Sequence, residues 1–286
     1  MLYPVRMSNF AVKYVVMRRT ARFLIPITAL LYCSCAGVNT ILKSSDYDAK
    51  YELAKAMYVE GHYSDASGII EDCVLMFRGT AKGEECVYLL ADCYAQMNDW
   101  IMASQYYQTY YKTYPKGRYE EDAHFRAGKC LFYDTPDPRL DPSSTYTAIN
   151  ELQSFLELYP GSQYVDEAND MIYKMYDRLV EKEMRSVKLY YNLGNYMGNN
   201  YRAGIITAQN ALKDFPYTKY REELSMMILR CKFKEAEESV QDKQLDRYRD
   251  VVDEYYAFRN EFPDSRYMKE VEKIFATASR QSGNQQ

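Results

Sequence analysis

The chain has 286 residues, with 36 basic and 40 acidic side chains and a formal net charge of −4 at pH 7. Hydrophobic residues make up 47% and charged residues 27% of it, which excludes wholesale disorder and suffices for one or two globular domains. Only 12 Gly, 9 Pro and 2 His accompany 31 Tyr. We therefore expect a helical binding protein rather than a turn-rich all-β protein or an enzyme.

The chain starts with a basic segment followed by a short apolar one. Residues 1–35 carry five basic side chains and no acidic one, and residues 23–32 are almost entirely apolar. This order is typical of a secretory signal peptide, and the apolar run is shorter than the roughly 20 residues of a membrane-spanning helix. We predict a signal peptide over residues 1–34, and Met17 is a plausible true start because residues 1–16 add nothing that a signal needs.

Two cysteines follow the apolar segment. Cys35 comes after the small Ser34, which resembles a bacterial lipobox, where the cysteine becomes the lipidated first residue of the mature protein. Cys33 follows the bulky Tyr32 and fits this pattern less well. We predict lipidation at Cys35, with Cys33 as the alternative site and plain secretion as the alternative fate. Residues 35–46 are then the lipidated cysteine and a tether, and the acyl chains hold the protein on a membrane.

One phrase occurs four times, each time after a long amphipathic stretch: aromatic, Pro, any residue, Gly/Ser/Thr, any residue, Tyr. Its copies are residues 114–119, 159–164, 215–220 and 262–267. Proline ends the helix before it, and Gly, Ser or Thr can cap the next helix.

The predicted mature chain is more acidic than the full sequence. The only charged side chains in the signal peptide are basic, so its removal makes the net charge more negative. Nucleic-acid binding depends on neutralising phosphates with basic side chains, so we expect no nucleic-acid partner.

A 34-residue helix–turn–helix pattern precedes the first copy and resembles the tetratricopeptide (TPR) signature of small and aromatic residues. The unit before it follows the same register. The matching positions are Leu53, Ala54, Met57, Gly61, Tyr63, Ala66 and Ile70 in one unit, and Leu90, Ala91, Tyr94, Ala103, Tyr107, Tyr110 and Pro115 in the next. Small residues let the two helices of a pair approach closely, and aromatic residues fill the groove between pairs.

The later units vary this pattern. The third carries a Pro- and Asp-rich insertion over residues 133–144, which we expect to be a surface loop. The fourth is preceded by a long helical run from Tyr164 to about Lys188. The fifth pairs residues 222–240 with about 245–261, and residues 268–279 form a closing helix. We predict an all-α, TPR-type α-solenoid of about five repeats over residues 47–279, followed by a disordered tail over residues 280–286.

A TPR array behind a lipobox resembles the BamD family of outer-membrane β-barrel assembly lipoproteins. The resemblance covers roughly residues 47–267 and departs from the family at residues 184–186 and 198–201. The residues that carry it are Asp141, Pro142, Thr147–Ile149, Phe155, Leu156, Tyr159–Ser162, Tyr164, Asp166–Ala168, Arg178, Leu179, Glu181–Glu183, Tyr190 and Tyr191.

The resemblance implies a non-enzymatic scaffold on the periplasmic face of the outer membrane. Its C-terminal repeats would bind the POTRA domains of the central barrel subunit, and its N-terminal repeats would bind unfolded outer-membrane proteins. Tyrosines suit peptide capture because they offer large contact areas at low entropy cost. We nevertheless expect most of the α-helical cluster Tyr106, Tyr107, Tyr110, Tyr111 and Tyr114 to pack between helices.

Other chemistry finds little support in the sequence. Cys73, Cys86, Cys93, Cys130 and Cys231 lack Cys-x-x-Cys spacing, so buried thiols are favoured over disulfides or a metal site. We expect structural or solvent-facing roles for His62 and His124, and a solvated helix face at residues 235–238. No catalytic residue, cofactor or metal ligand is predicted.

Two other functions are compatible with the composition and the repeats. A general periplasmic TPR adaptor for cell-wall or division machinery would share the fold but not the family residues between 141 and 191. A glycan-binding TPR lipoprotein would need exposed tryptophans for sugar stacking, whereas this chain has only Trp100.

Overall fold

The computed structural model describes residues 38–283, which contain twelve helices and no strand. They are α1 (residues 38–43), α2 (Tyr47–Val59), α3 (Tyr63–Met76), α4 (Ala81–Gln96), α5 (Trp100–Thr113), α6 (Glu120–Tyr133), α7 (Ser143–Leu158), α8 (Val165–Leu193), α9 (Asn200–Asp214), α10 (Arg221–Glu237), α11 (Gln241–Glu261) and α12 (Met268–Gln281). The predicted all-α, TPR-like repeat fold is confirmed.

The described chain divides into two compact units, the first ending at Ala123 and the second starting at His124, inside α6. In the N-terminal unit, helices α2 to α5 pack in sequence order, each against the next. Ala54, Ala66 and Ala91 are fully buried where these helices approach, as the TPR pattern predicts. Ile70 and Leu90 fill the core beside them.

The C-terminal unit has three apolar cores, and each is formed by three consecutive helices. Phe155 and Met175 lie in the core formed by α6, α7 and α8. Ile205 and Leu224 lie in the core of α8, α9 and α10. The third core joins α10, α11 and α12 around Tyr255. Each core connects neighbouring hairpins, so the apolar surface of one repeat is covered by the next.

The four copies of the proline phrase end helices as predicted. Helices α5, α7, α9 and α11 stop one residue before the aromatic of each copy, whose backbone N–H donates to the carbonyl four residues earlier. The hydroxyls act differently from our expectation. Ser162, Thr218 and Ser265 accept from the backbone N–H two residues further on, at 3.1, 3.3 and 3.0 Å, and so shape the turn before the helix rather than cap its first N–H groups.

Several boundaries differ from the sequence-based ones. Helix α8 runs unbroken to Leu193 because no Pro or Gly interrupts it, and Gly194 ends it with φ +55°. Helix α12 continues to Gln281, so the first two residues of the predicted tail are helical, and part of the predicted tether, residues 38–43, is helical too. The predicted signal peptide, Cys33, Cys35 and residues 284–286 lie outside the described residues.

The insertion in the third repeat packs against helix α8. The Arg178 guanidinium donates to the Thr135 hydroxyl, and Lys182 Nζ donates to the carbonyl of Leu140 at 3.2 Å. Leu140 itself is exposed. The predicted surface loop is therefore tied to the long helix of the next repeat at two points.

Candidate functional site

Tyrosines in the N-terminal unit bind carboxylates one repeat further along the chain. Three hydrogen-bonded pairs are each 34 residues apart: Tyr51 with Glu85, Tyr58 with Asp92, and Tyr88 with Asp122. Burial and the neighbouring Glu85 raise the pKa of Tyr51 to about 12, and the Tyr51 hydroxyl donates to Glu85 at 2.6 Å. These tyrosines connect successive repeats and are not free to bind a partner through their hydroxyls.

The tyrosine cluster on α5 packs mainly inside the unit, as expected. Tyr107 and Tyr110 are fully buried, and their hydroxyls donate to Asp92 at 2.8 Å and to Glu84 at 2.5 Å. Tyr106 is half-buried and stacks on the ring of Tyr94. All five tyrosines of the cluster are buried or half-buried, so the cluster does not form an open aromatic surface.

The cysteines of the repeats are buried, as the sequence predicts. Cys73, Cys86, Cys93 and Cys231 are free thiols in the apolar cores, and Cys130 is buried as well. Burial raises the pKa of Cys86, Cys93 and Cys231 to about 12, which keeps them as unreactive thiols. Within residues 38–283, no group of His, Cys, Asp and Glu has an arrangement that could hold a metal ion.

The two histidines lie in different surroundings. His62 is exposed at the start of α3, whereas His124 is buried on α6 against the rings of Phe155 and Tyr159.

Glu235 differs from the prediction of a solvated helix face. Its side chain is buried, since the residue is only 8% exposed. It accepts from Asn199 at 2.7 Å and pairs with Arg247 at 3.3 Å, which compensates for its burial.

A recess in the C-terminal unit lies between α8, α10 and α12. This C-terminal groove has a volume of about 350 Å³. Its lining residues combine apolar surface with charges of both signs: Tyr191, Arg230, Phe233, Lys234, Glu237, Glu270, Lys273, Ile274 and Thr277. An aromatic and aliphatic floor with a charged rim is suited to a segment of another protein.

Ion pairs organise the rim of the C-terminal groove. Arg230 forms a bidentate salt bridge with Glu270, with N–O distances of 2.7 and 2.6 Å. Lys234 forms an ion pair with Glu237 at 2.8 Å. The Arg230 guanidinium also holds the pKa of Glu270 below its usual range. Lys273 is exposed and forms no ion pair within the described residues, so it is the cation most available to a carboxylate of a partner.

Sequence reasoning did not identify this groove. One signal was present: residues 230, 233, 234 and 237 recur at the spacing of one helical face, and they combine an aromatic residue with charges. A solvent-exposed helix face has the same pattern, so the spacing alone does not indicate a binding groove. The helix α12, which supplies the opposite wall, was predicted only as a closing helix.

Membrane attachment through a spanning helix finds no support in the part of the chain that the structure describes. No helix among residues 38–283 combines the length and the apolar character needed to cross a bilayer.

Trp100, at the start of α5, is partly buried and does not form the exposed platform that the glycan-binding alternative requires.

Comparison with known proteins identifies one family. The model of the YfiO family, described as an outer membrane lipoprotein, matches residues 43–243, which is more than half of the chain and includes parts of both compact units. No curated protein matches the chain.

Proposed function

The chain belongs to the YfiO, or BamD, family of outer membrane lipoproteins, and we propose that it is a scaffold subunit of the β-barrel assembly machinery. In this function it catalyses no reaction and holds other proteins on the periplasmic face of the outer membrane. Membership in a family of non-enzymatic scaffolds supports this assignment. The helical repeats support it too, because stacked hairpins present extended binding surfaces.

The C-terminal groove is the observation that carries the partner assignment. We propose that it receives a segment of a POTRA domain of the central barrel subunit, with an apolar side chain against Phe233 and Ile274 and a carboxylate near Lys273. The N-terminal repeats would bind unfolded outer-membrane proteins. Since the hydroxyls of Tyr51, Tyr58, Tyr88, Tyr107 and Tyr110 are engaged within the unit, we propose that this contact uses tyrosine rings and apolar side chains.

Reversing the charge of Lys273 tests the groove. Lys273→Glu puts a third carboxylate beside Glu237 and Glu270, so we expect about fivefold to tenfold less barrel subunit to co-purify. Lys269→Glu is the matched control, since Lys269 is exposed on the same helix and outside the groove. An equal loss in both variants, or in neither, would argue against the groove as the docking site.

We propose that Cys35 carries the lipid anchor, after removal of the signal peptide over residues 1–34. Labelling of growing cells with radioactive palmitate measures this directly. We expect Cys35→Ala to abolish the label and release the protein from the membrane fraction, and Cys33→Ala to leave both unchanged. The reverse pattern would place the lipid on Cys33, and a label unaffected by either change would contradict lipidation at this segment.

A further inference from the structure

A second, smaller cavity of the C-terminal unit has the chemistry of a cation site. It has a volume of about 140 Å³ and lies between the middle of α8 and the turn from α9 to α10. Its lining is almost wholly aromatic and acidic: Tyr173, Tyr176, Asp177, Asp214, Phe215, Pro216, Tyr217 and Thr218. None of these residues lines the C-terminal groove, so the cavity is a separate feature from the proposed docking site.

The aromatic walls are more exposed than the fold requires. Tyr217 is 85% and Tyr173 is 53% exposed, whereas Tyr176 and Phe215 pack against each other with ring centroids 5.3 Å apart. Tyr217 occupies the variable position after proline in the repeated phrase. The other three copies have Lys116, Gly161 and Asp264 there. The turn therefore forms without an aromatic at this position, and Tyr217 contributes exposed aromatic surface that the turn does not need.

The two carboxylates differ in how they are used. Asp177 is engaged by the turn: it accepts from the Thr218 hydroxyl at 2.7 Å and from the Lys219 N–H at 3.2 Å, and it pairs with the Lys219 ammonium at 3.4 Å. Asp214 is exposed and forms no ion pair within the described residues. It is also the last residue of α9, where a negative charge opposes the helix dipole.

In the last repeat, the acidic residue at the position that matches Asp214 has an ion-pair partner. Glu261, which also precedes the aromatic of its phrase, forms an ion pair with Arg221. Asp214 thus carries a charge that helix formation disfavours and that no neighbour in the described chain neutralises. A cation entering the cavity would meet this carboxylate and the tyrosine rings that line it.

We propose that this cavity is a docking site for an arginine side chain of a partner protein. A guanidinium stacks on tyrosine rings and forms two parallel hydrogen bonds with one carboxylate, and both features are available here. An acidic side chain would be repelled by Asp214. A purely apolar one would remove Asp214 from water without giving it a partner, which is unfavourable.

Ligand-observed saturation-transfer NMR on the full chain in mild detergent tests the proposal. The probe is the blocked peptide acetyl-Gly-Arg-Gly-amide, and its neutral counterpart contains citrulline, which keeps the shape of arginine without its charge. A single side chain is expected to bind in the millimolar range. We expect saturation transfer to the arginine peptide and several-fold less to the citrulline peptide.

Three variants locate the binding. Tyr217→Ala and Asp214→Asn are expected to weaken arginine-peptide binding about fivefold to tenfold. Tyr196→Ala, which removes a tyrosine 68% exposed in the turn from α8 to α9, should leave it unchanged. Circular dichroism melting shows whether each variant keeps its fold. Equal transfer to both peptides, or unaltered binding in a folded Tyr217→Ala protein, would overturn the proposal.

Discussion

At the scale of single residues, the tyrosine excess is largely structural. Tyr107, Tyr110 and Tyr255 are among the largest fully buried side chains, and each hydroxyl reaches a carboxylate. A buried tyrosine fills space between helices, and its hydroxyl can bond a charged group of the neighbouring helix. The sequence predicted that Tyr107 and Tyr110 fall on core positions, but it did not reveal which carboxylates they bind.

Removing the Tyr107 hydroxyl tests this structural role. Tyr107→Phe leaves the ring in place but removes the buried hydrogen bond of 2.8 Å to Asp92. We expect the free energy of unfolding to fall by about 1.5 to 3 kcal/mol, as for hydrogen bonds to charged groups. Urea unfolding followed by circular dichroism measures the change.

The control for that substitution is Tyr196→Phe, in the C-terminal unit. Tyr196 is 68% exposed, so loss of its hydroxyl should change the free energy of unfolding by less than about 0.5 kcal/mol. Similar effects of the two substitutions would contradict the assignment of Tyr107 to the buried network.

The buried thiols predict how stability depends on pH. Burial raises the pKa of Cys86, Cys93 and Cys231 from 9.0 to about 12 in the folded chain. Above about pH 9, thiols in the unfolded chain lose protons that the folded chain retains, and this favours unfolding. We therefore expect the free energy of unfolding to fall as pH rises from about 9 towards about 12, more steeply in the native sequence than in Cys231→Ala.

Alkylation provides an independent check on the thiols. In the folded protein near pH 9, the three buried cysteines should react with iodoacetamide far more slowly than after unfolding in urea. Fast reaction of the folded protein, together with stability that does not change over this pH range, would show that the thiols are not held in the protonated form.

At the scale of helices and turns, the end of α8 depends on one glycine. Gly194 has φ +55°, and a Cβ at this position would lie 2.8 Å from the Tyr201 hydroxyl, which is itself bonded to Glu238 at 2.9 Å. Gly194→Ala should therefore lower the free energy of unfolding by about 1 to 2 kcal/mol. Thermal or urea unfolding detects a change of this size.

Gly161→Ala is the control for the turn. Gly161 has no positive φ, and an added Cβ would meet nothing within 4 Å, so we expect a change below about 0.5 kcal/mol. A Gly194→Ala protein as stable as the Gly161→Ala protein would mean that the turn after α8 adapts without strain.

Helix ends were predictable where local chemistry decides them. The repeated proline phrase correctly placed the ends of α5, α7, α9 and α11. The continuation of α8 to Leu193 was harder to predict, because the aromatic and small residues after Lys188 resemble the start of a new repeat. Glu235 was misassigned because its partners, Asn199 and Arg247, come from other helices and are invisible to a periodic pattern.

At the scale of the whole molecule, the candidate sites emerge only from the packing of distant segments. The C-terminal groove combines Tyr191 of α8 with Arg230 of α10 and Lys273 of α12, which are about forty residues apart in sequence. The repeat pattern predicts that such helices are neighbours but not which faces remain uncovered. The division of the described chain at Ala123, inside α6, also has no counterpart in the repeat pattern.

We propose that this YfiO-family lipoprotein works as a scaffold in β-barrel assembly. The most direct test is to purify the tagged native protein from outer membranes in mild detergent and to identify the co-purifying proteins by mass spectrometry. We predict stoichiometric recovery of a large barrel protein that carries POTRA domains. Recovery of cell-wall enzymes or sugar transporters in its place would contradict the claim and favour a general periplasmic adaptor.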